Sequence, residues 1–539
     1  MELAQGQVYF SNGQYAEAIA AFREYLRANP QSAEAYFHLG NALWKSGDAK
    51  AAVAAQRNSL RIQQTAAAFN SLGLALIATG EIDEAMGAFN KALGIEPRQT
   101  EAMVNLGNVQ RSVGQAEAAM ISFSRAAIAG NTDQAPENLL FTAHFLTAID
   151  VQSLANGHRA WGERLDQTVK RIEPIVARTD RRLRVGFVSA DFNAHAAARF
   201  LLPLLQQINR DRFEIHLYSN IAVADARTAE FQQLATVWRD IRPLSDDQAA
   251  HLILQDRIDV LFDLSLHTEG NRLGVFGRKP APVQATWLGY ASTTGVKTID
   301  YRLSDRFLDP NPEEDGSYVE RTLRLADCFW CFQPFELTPM VGPSPFASAG
   351  HVTFGSLNNF AKVNALVQLN WADVLAELPN SRIIIHCPRG SHRGELRKVF
   401  ARRSVDANRI EFVEFLPTQD YLALHNRVDI ALDPFPFAGG TTTCDALWMG
   451  VPVVTLSGNV PVSRGGASVL RNVGMPELIG QTREQYVQIA IELARDPVRL
   501  AQYRATLRDR VANSPLTDAP RFARNFESAI RHMWLGQSE

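Results

Sequence analysis

Side chains able to handle an anion follow two short β-branched runs in the second half of the chain. DIALDPFPFAGGTTTCDALWMGVPVV reads as strand, glycine-rich turn, helix and strand, so the N–H groups near Thr441, Thr442 and Thr443 open a helix. A helix start attracts negative charge through its free donors and its dipole. The Gly439-Gly440 pair lets backbone approach a phosphate closely, the three hydroxyls can donate to its oxygens, and Asp445, one turn in, can accept from ribose hydroxyls. Lys362, in NNFAK just beyond the run VTFGSLN, supplies a cation at a strand end of the same region. The spacing is neither a Walker loop nor G-x-G-x-x-G. An ordinary capped turn with a lone surface lysine would use the same residues.

The first half of this region offers proton chemistry instead. DFNAH follows RVGFVSA, and DLSLHTEGNR follows DVLF, so His195 and His267 each come four residues after an acid, Asp191 and Asp263. A carboxylate beside a histidine can fix its tautomer or help it shuttle protons near neutrality. Either ring also fits a structural role.

These residues need strands to hold them. RVGFVSA, FEIHLYS, IDVLFDLS, VQATWLG and IDYRLSD form one series, and HVTFGSLN, RIIIHCP, RIEFVEF, DIALDPF and VPVVTL a second. Short buried runs alternating with helical stretches predict parallel sheets covered by helices on both faces. Two doubly wound lobes are therefore expected, divided in LTPMVGPSPFASAG, with ligands at the carboxyl ends of the strands in the cleft between them.

Ahead of the lobes the sequence repeats itself. Gly6, Gly40, Gly73 and Gly107 recur at 33 to 34 residues, and Gly13, Gly47, Gly80 and Gly114 follow each by seven. Phe22, Phe89 and Phe123 keep the same step, Gln56 interrupts it, and Pro30 and Pro97 end their repeats. Such units are tetratricopeptide-like helix pairs, and stacking about four of them gives a right-handed superhelix whose concave face suits an extended peptide. A purely architectural array would carry the same pattern.

Composition narrows the classes. With 539 residues the chain holds about three domains, and 46% hydrophobic with 21% charged residues excludes fibrous and disordered proteins. A net charge of -3 provides no basic field for nucleic acid or anionic membrane. Cys328, Cys331, Cys387 and Cys444 are expected to be free thiols that pack, because C-F-W-C has no second ligand pair for zinc. MELAQGQVYFSNGQ has no basic flank ahead of an apolar core, and no apolar run reaches about 18 residues, so a cytoplasmic protein is expected.

Taken together, RVGFVSADFNAH, DLSLHTEGNR, RKPAPVQATWLGYASTTG, SLNNFAKV, ALDPFPFAGGTTTCDALWMGVPVVTL and SRGGASVL resemble, in order, the protein O-linked N-acetylglucosamine transferase family and its bacterial homologues. The resemblance implies a tetratricopeptide α-solenoid over 1–133, a helical connection over 134–178, and a two-lobed Rossmann-like glycosyltransferase of the B fold. Its amino-terminal lobe would span 179–345 and its UDP-binding lobe 346–539. It further implies that Lys362, Gly440, Thr441 and Thr442 meet the UDP diphosphate and that Asn359 lies near it. Asp445 would hold ribose, Tyr421 would stack on uracil and the backbone of Leu416 would read the uracil edge. His195, Asp263 and His267 would be the active-site group. Ala291 and Ser292 replace the family's Pro and Gly in the loop beside the sugar, Gly440 replaces a vertebrate histidine, and the repeat array is shorter than in animal proteins.

The expected reaction is an inverting transfer of a sugar, N-acetylglucosamine first among candidates, from UDP to Ser or Thr hydroxyls of proteins. No metal or other cofactor is expected, because no Asp-x-Asp motif ends a strand and Lys362 can take the charge of the leaving group. His195 is the candidate base or positioning group, and a donor phosphate oxygen is the other possible acceptor of the proton. A UDP-glucose-dependent enzyme with another acceptor, or a repeat scaffold with a vestigial transferase region, are the alternatives. The expected partners are a UDP-sugar and a protein or peptide on the repeats, with neither nucleic acid nor membrane.

Overall fold

Small residues set the geometry of the amino-terminal array in the computed structural model, which describes residues 3–130, 132, 134–176 and 181–536. Helices from Leu3–Ser11 to Ala116–Ala129 form four successive pairs. A Cβ on Gly6, Gly73 or Gly107 would lie 2.4 to 2.6 Å from the ring of Phe22, Phe89 or Phe123, so only glycine allows each pair its close approach. In the second pair Gln56 fills the aromatic slot against Gly40, and its Nε2 donates to the Phe37 carbonyl and to Asn41 Oδ1. The second glycine series turns the chain between paired helices, with φ from 75 to 91°.

Helices Gln134–Ala143 and Val151–Thr168 connect the array to the sheets. The expected boundaries at 133/134 and 178/179 involve residues 133, 178 and 179, which lie outside the described residues. The second connecting helix is pressed so closely on the loop at Gly295 that a Cβ on Gly162 would overlap the Gly295 carbonyl.

The first sheet contains β1 Leu183–Ser189, β2 Phe213–Ser219, β3 Val237–Asp240, β4 Val260–Asp263, β5 Val283–Thr286, β6 Tyr301–Asp305 and β7 Arg321–Leu325. The second contains β8 Thr353–Ser356, β9 Arg382–His386, β10 Ile410–Val413, β11 Ile430–Leu432, β12 Val453–Leu456 and β13 Ile479–Gly480. Their orders are β3-β2-β1-β4-β5-β6-β7 and β10-β9-β8-β11-β12-β13, parallel throughout. In the first sheet Val185 sits between Ile215 and Val260, all fully buried, which is why the central strands read as continuous apolar runs. Sequence reading did not anticipate β3, β7 and β13. These end their sheets, and VWRD and RTLRL lack the apolar continuity of a two-face-covered strand.

The final helix departs from the expected division of the chain. Ala519–Leu535 returns to the first lobe, where the Phe526 ring centroid lies 5.1 Å from those of Phe262 and Trp287 and Glu527 accepts the N–H of Asn209. All four cysteines are buried and unpaired. No helix among the described residues is long and apolar enough to cross a membrane.

Candidate active site

The carboxyl ends of the two sheets face one cleft. It consists of adjoining cavities of about 690 and 670 Å³ that share His195, Asn359, Thr441 and Thr442. Segments following β1, β4, β5, β8, β11 and β12 line the larger cavity, as a doubly wound topology requires.

Lys362, Gly440, Thr441 and Thr442 together line the larger cavity. Asn359 caps the short turn Phe360–Lys362 by accepting the N–H of Ala361, which aims Lys362 towards the glycine-rich turn. Lys362 Nζ donates to the Ala438 carbonyl at 2.9 Å and lies 4.7 Å from the Phe437 ring centroid. Burial pushes its pKa down to about 8, against the opposing pull of the Asp433 carboxylate. The ammonium retains further donors for an anion.

Helix Thr441–Trp448 starts at Gly440 without a side-chain cap, so its first N–H groups remain available. The three hydroxyls are not equivalent. Thr442 Oγ1 donates to Asn358 Oδ1 at 2.7 Å, and Thr443 is buried and does not line the cleft, which leaves Thr441 as the hydroxyl free to donate there. A Cβ on Gly440 would come 2.9 Å from the Trp330 ring, and one on Gly439 would strike Thr443 Oγ1 and Asp433 Oδ1.

Leu416, Tyr421 and Asp445 line the smaller cavity, beside the anion-binding turn. Tyr421 donates its hydroxyl to Asp445 Oδ2 at 3.3 Å, and Arg199 from the opposite lobe donates to Asp445 Oδ1 at 2.6 Å. Burial raises the Asp445 pKa, and Arg199 opposes the rise. Ile82 and Ser112 of the repeat array reach this cavity too.

His195 borders both cavities from the loop after β1. Its Nδ1 lies 3.6 Å from Asp191 Oδ2 and 3.3 Å from the N–H of Ala197. Burial raises the pKa of Asp191.

Asp263 and His267 occupy a different position. Neither lines the cleft, and both are buried behind its wall. Asp263 accepts the N–H groups of Ser265 and Leu266 and the hydroxyl of Thr286, tying the ends of β4 and β5, and burial raises its pKa to about 6. The His267 ring lies against Trp161 and His158, with Nε2 at 2.8 Å from the Thr294 carbonyl oxygen; burial holds its pKa well below the usual histidine range. Ala291 borders the larger cavity beside Leu288, Gly289 and Tyr290, whereas Ser292 is buried.

Sequence reasoning missed Arg199, Asp433 and Trp330. Asp433 was detectable as a carboxylate ending the run DIALD, and Arg199 as the one charge in AAARFLLPLL. Trp330 gave no signal beyond its place between two cysteines.

A profile of glycosyl transferase family 41 matches residues 165–334 and 348–526, and a tetratricopeptide repeat profile matches 3–67 and 70–136. The chain is 36% identical over 414 residues to the probable UDP-N-acetylglucosamine–peptide N-acetylglucosaminyltransferase SPINDLY of Arabidopsis thaliana, covering 74% of this chain and 45% of that protein. With the same plant's probable UDP-N-acetylglucosamine–peptide N-acetylglucosaminyltransferase SEC it shares 27% over 365 residues, 66% of this chain and 37% of that one. It thus spans less than half the length of these curated relatives. A mutant of Thermobaculum terrenum O-GlcNAc transferase superposes with a TM-score of 0.87 at 32% identity, covering 94% of this chain and 98% of that chain. The repeat array, the two parallel sheets and the profile match over most of the chain agree: the chain belongs to glycosyl transferase family 41.

Proposed function

We propose that this chain moves a sugar, N-acetylglucosamine in the first instance, from UDP to Ser or Thr hydroxyls of proteins, with inversion and without a metal. One observation carries the reading: Lys362, the uncapped start of helix Thr441–Trp448 and, from the other lobe, His195 all border one cleft. The diphosphate sits against Lys362 and the N–H groups around Thr441 and Thr442, with Asn359 beside it. Asp445 takes the ribose, while Tyr421 and the Leu416 backbone take the uracil.

In the reaction the acceptor oxygen bonds to the anomeric carbon as the bond from that carbon to the phosphate oxygen breaks. The charge gained by departing UDP falls on Lys362 and the turn, which act where a divalent cation would otherwise act. The hydroxyl proton passes to His195 or to a phosphate oxygen. Asp191 Oδ2, 3.6 Å from Nδ1, faces the positive charge that the ring gains when it takes the proton. Asp263 and His267 act as positioning residues, because they shape the wall rather than line it.

The acceptor is a protein segment guided by the repeats, a reading supported by Ile82 and Ser112 at the cavity edge and by Asp83, which accepts the N–H and hydroxyl of Ser391 and docks the array on the second lobe. Four free cysteines support a cytoplasmic setting. The test is incubation with a panel of UDP-sugars and cell lysate, followed by mass spectrometry of the peptides. N-acetylhexosamine on Ser or Thr is the expected product. Modification of asparagine, or no modified peptide with any donor, overturns the reading.

A further inference from the structure

Arg199 belongs to the first lobe, on helix Ala198–Gln207, yet its charge is spent on the second. The guanidinium donates through Nη1 to Asp445 Oδ1 at 2.6 Å, with the two side chains 10% and 4% exposed. It has little freedom to leave. Nε donates to the Gln333 carbonyl at 3.2 Å, the Gln333 N–H donates back to the Arg199 carbonyl, and the rings of Phe335 and Phe332 lie 4.0 and 4.6 Å from the guanidinium carbon.

The partner it holds is incompletely used. A carboxylate has about four acceptor positions, whereas Asp445 receives one short bond on Oδ1 and one long bond, from Tyr421 at 3.3 Å, on Oδ2. The remaining capacity opens on the smaller cavity, which Arg199 and Asp445 both line. Removal of the cation would leave a nearly buried carboxylate without its counter-charge, which would then rotate or take up a proton and lose its value as an acceptor.

On the donor-binding reading above, we propose that Arg199 is a positioning residue for nucleotide recognition: it fixes and charges Asp445 so that the free lone pairs of that carboxylate select a ribose diol. Because the cation comes from one lobe and the carboxylate from the other, ribose recognition then depends on the two lobes being engaged. The selectivity belongs to the pair rather than to Asp445 alone.

The test titrates the full-length protein calorimetrically with uridine diphosphate and with its 2′-deoxy and 3′-deoxy analogues. Wild type should favour uridine diphosphate over the poorer analogue by about tenfold or more, the range for a hydrogen bond to a charged group. Arg199→Ala should reduce that ratio to about twofold, whereas Arg199→Lys, which keeps the charge but loses the planar fork, should restore part of it. A merely structural arginine would lower affinity for all three ligands and leave the ratio intact, and that result overturns the proposal. Should Arg199→Ala fail to fold, Arg199→Gln is read in the same way, with an unchanged ratio again overturning it. If wild-type protein binds none of the three ligands, the donor-binding reading itself falls, an outcome distinct from an unchanged ratio in the variants.

Discussion

Asp433 Oδ1 accepts the backbone N–H of Gly439 at 2.8 Å, while Oδ2 accepts the Thr455 hydroxyl at 2.7 Å. One buried carboxylate thereby joins the end of β11 to β12 and to the glycine-rich turn, and it also supplies the negative charge that sustains Lys362. Asp433→Asn can keep the Gly439 bond but removes the charge. The Lys362 ammonium, already lowered to about 8 by burial, should then deprotonate at lower pH still. The expected result is a UDP affinity profile that begins to weaken about one pH unit earlier than in wild type, measured by calorimetry between about pH 6.5 and 9. Superimposable profiles would separate Asp433 from Lys362.

Lys362 itself sets the wild-type profile. Only its protonated form attracts the diphosphate, so affinity should be level below about 8 and fall by up to about tenfold per unit above it, until the raised pKa of the bound complex is reached. Lys362→Ala should flatten this dependence and lower turnover by more than about a hundredfold. Unchanged turnover would remove the residue from the chemistry.

The glycine-to-ring contacts of the repeats make a prediction about stability alone. A Cβ on Gly73 would lie 2.4 Å from the Phe89 ring, inside a buried pair with no flexible neighbour to yield. Gly73→Ala should cost about 1–3 kcal/mol in chemical denaturation, the range for overpacking a close contact. Gln56→Phe should be tolerated, because three sister repeats already hold phenylalanine against the matching glycine. A Gly73→Ala protein as stable as wild type would show that the helix pair can separate without penalty.

How much of this was legible in the sequence depends on the range of the interaction. Gly6 to Gly114 and the runs around β1, β2, β4, β8 and β9 could be read because each announces itself within a few residues, by period or by apolar continuity. The site segments were legible because the doubly wound topology sends strand ends to a single edge, which places His195, Lys362 and Thr441 together. Arg199 meeting Asp445, and Trp330 closing over Gly440, were not legible, since their partners lie 246 and 110 residues away and no local pattern encodes the meeting. The return of helix Ala519–Leu535 to the first lobe was hidden for the same reason.

Asp263 and His195 carry the sharpest contrast between shaping a site and acting in it. Asp263 uses Oδ1 on the Ser265 N–H and Oδ2 on the Leu266 N–H and the Thr286 hydroxyl, and the two N–H groups, one on each oxygen, can only donate. Asparagine there would turn its amide towards at least one of them, a donor facing a donor inside a fully buried site. Asp263→Asn should therefore lower the melting temperature and the transfer rate together, with the stability loss in the range of about 1–3 kcal/mol for an unsatisfied buried group. His195 has a half-exposed side chain bordering both cavities, so His195→Ala should leave the melting temperature and UDP affinity close to wild type while transfer falls. The decisive comparison is thermal unfolding alongside turnover for the two variants. A full-stability Asp263→Asn protein that binds UDP yet transfers no sugar would place the Asp263 carboxylate in direct contact with substrate, against its burial behind the cavity wall.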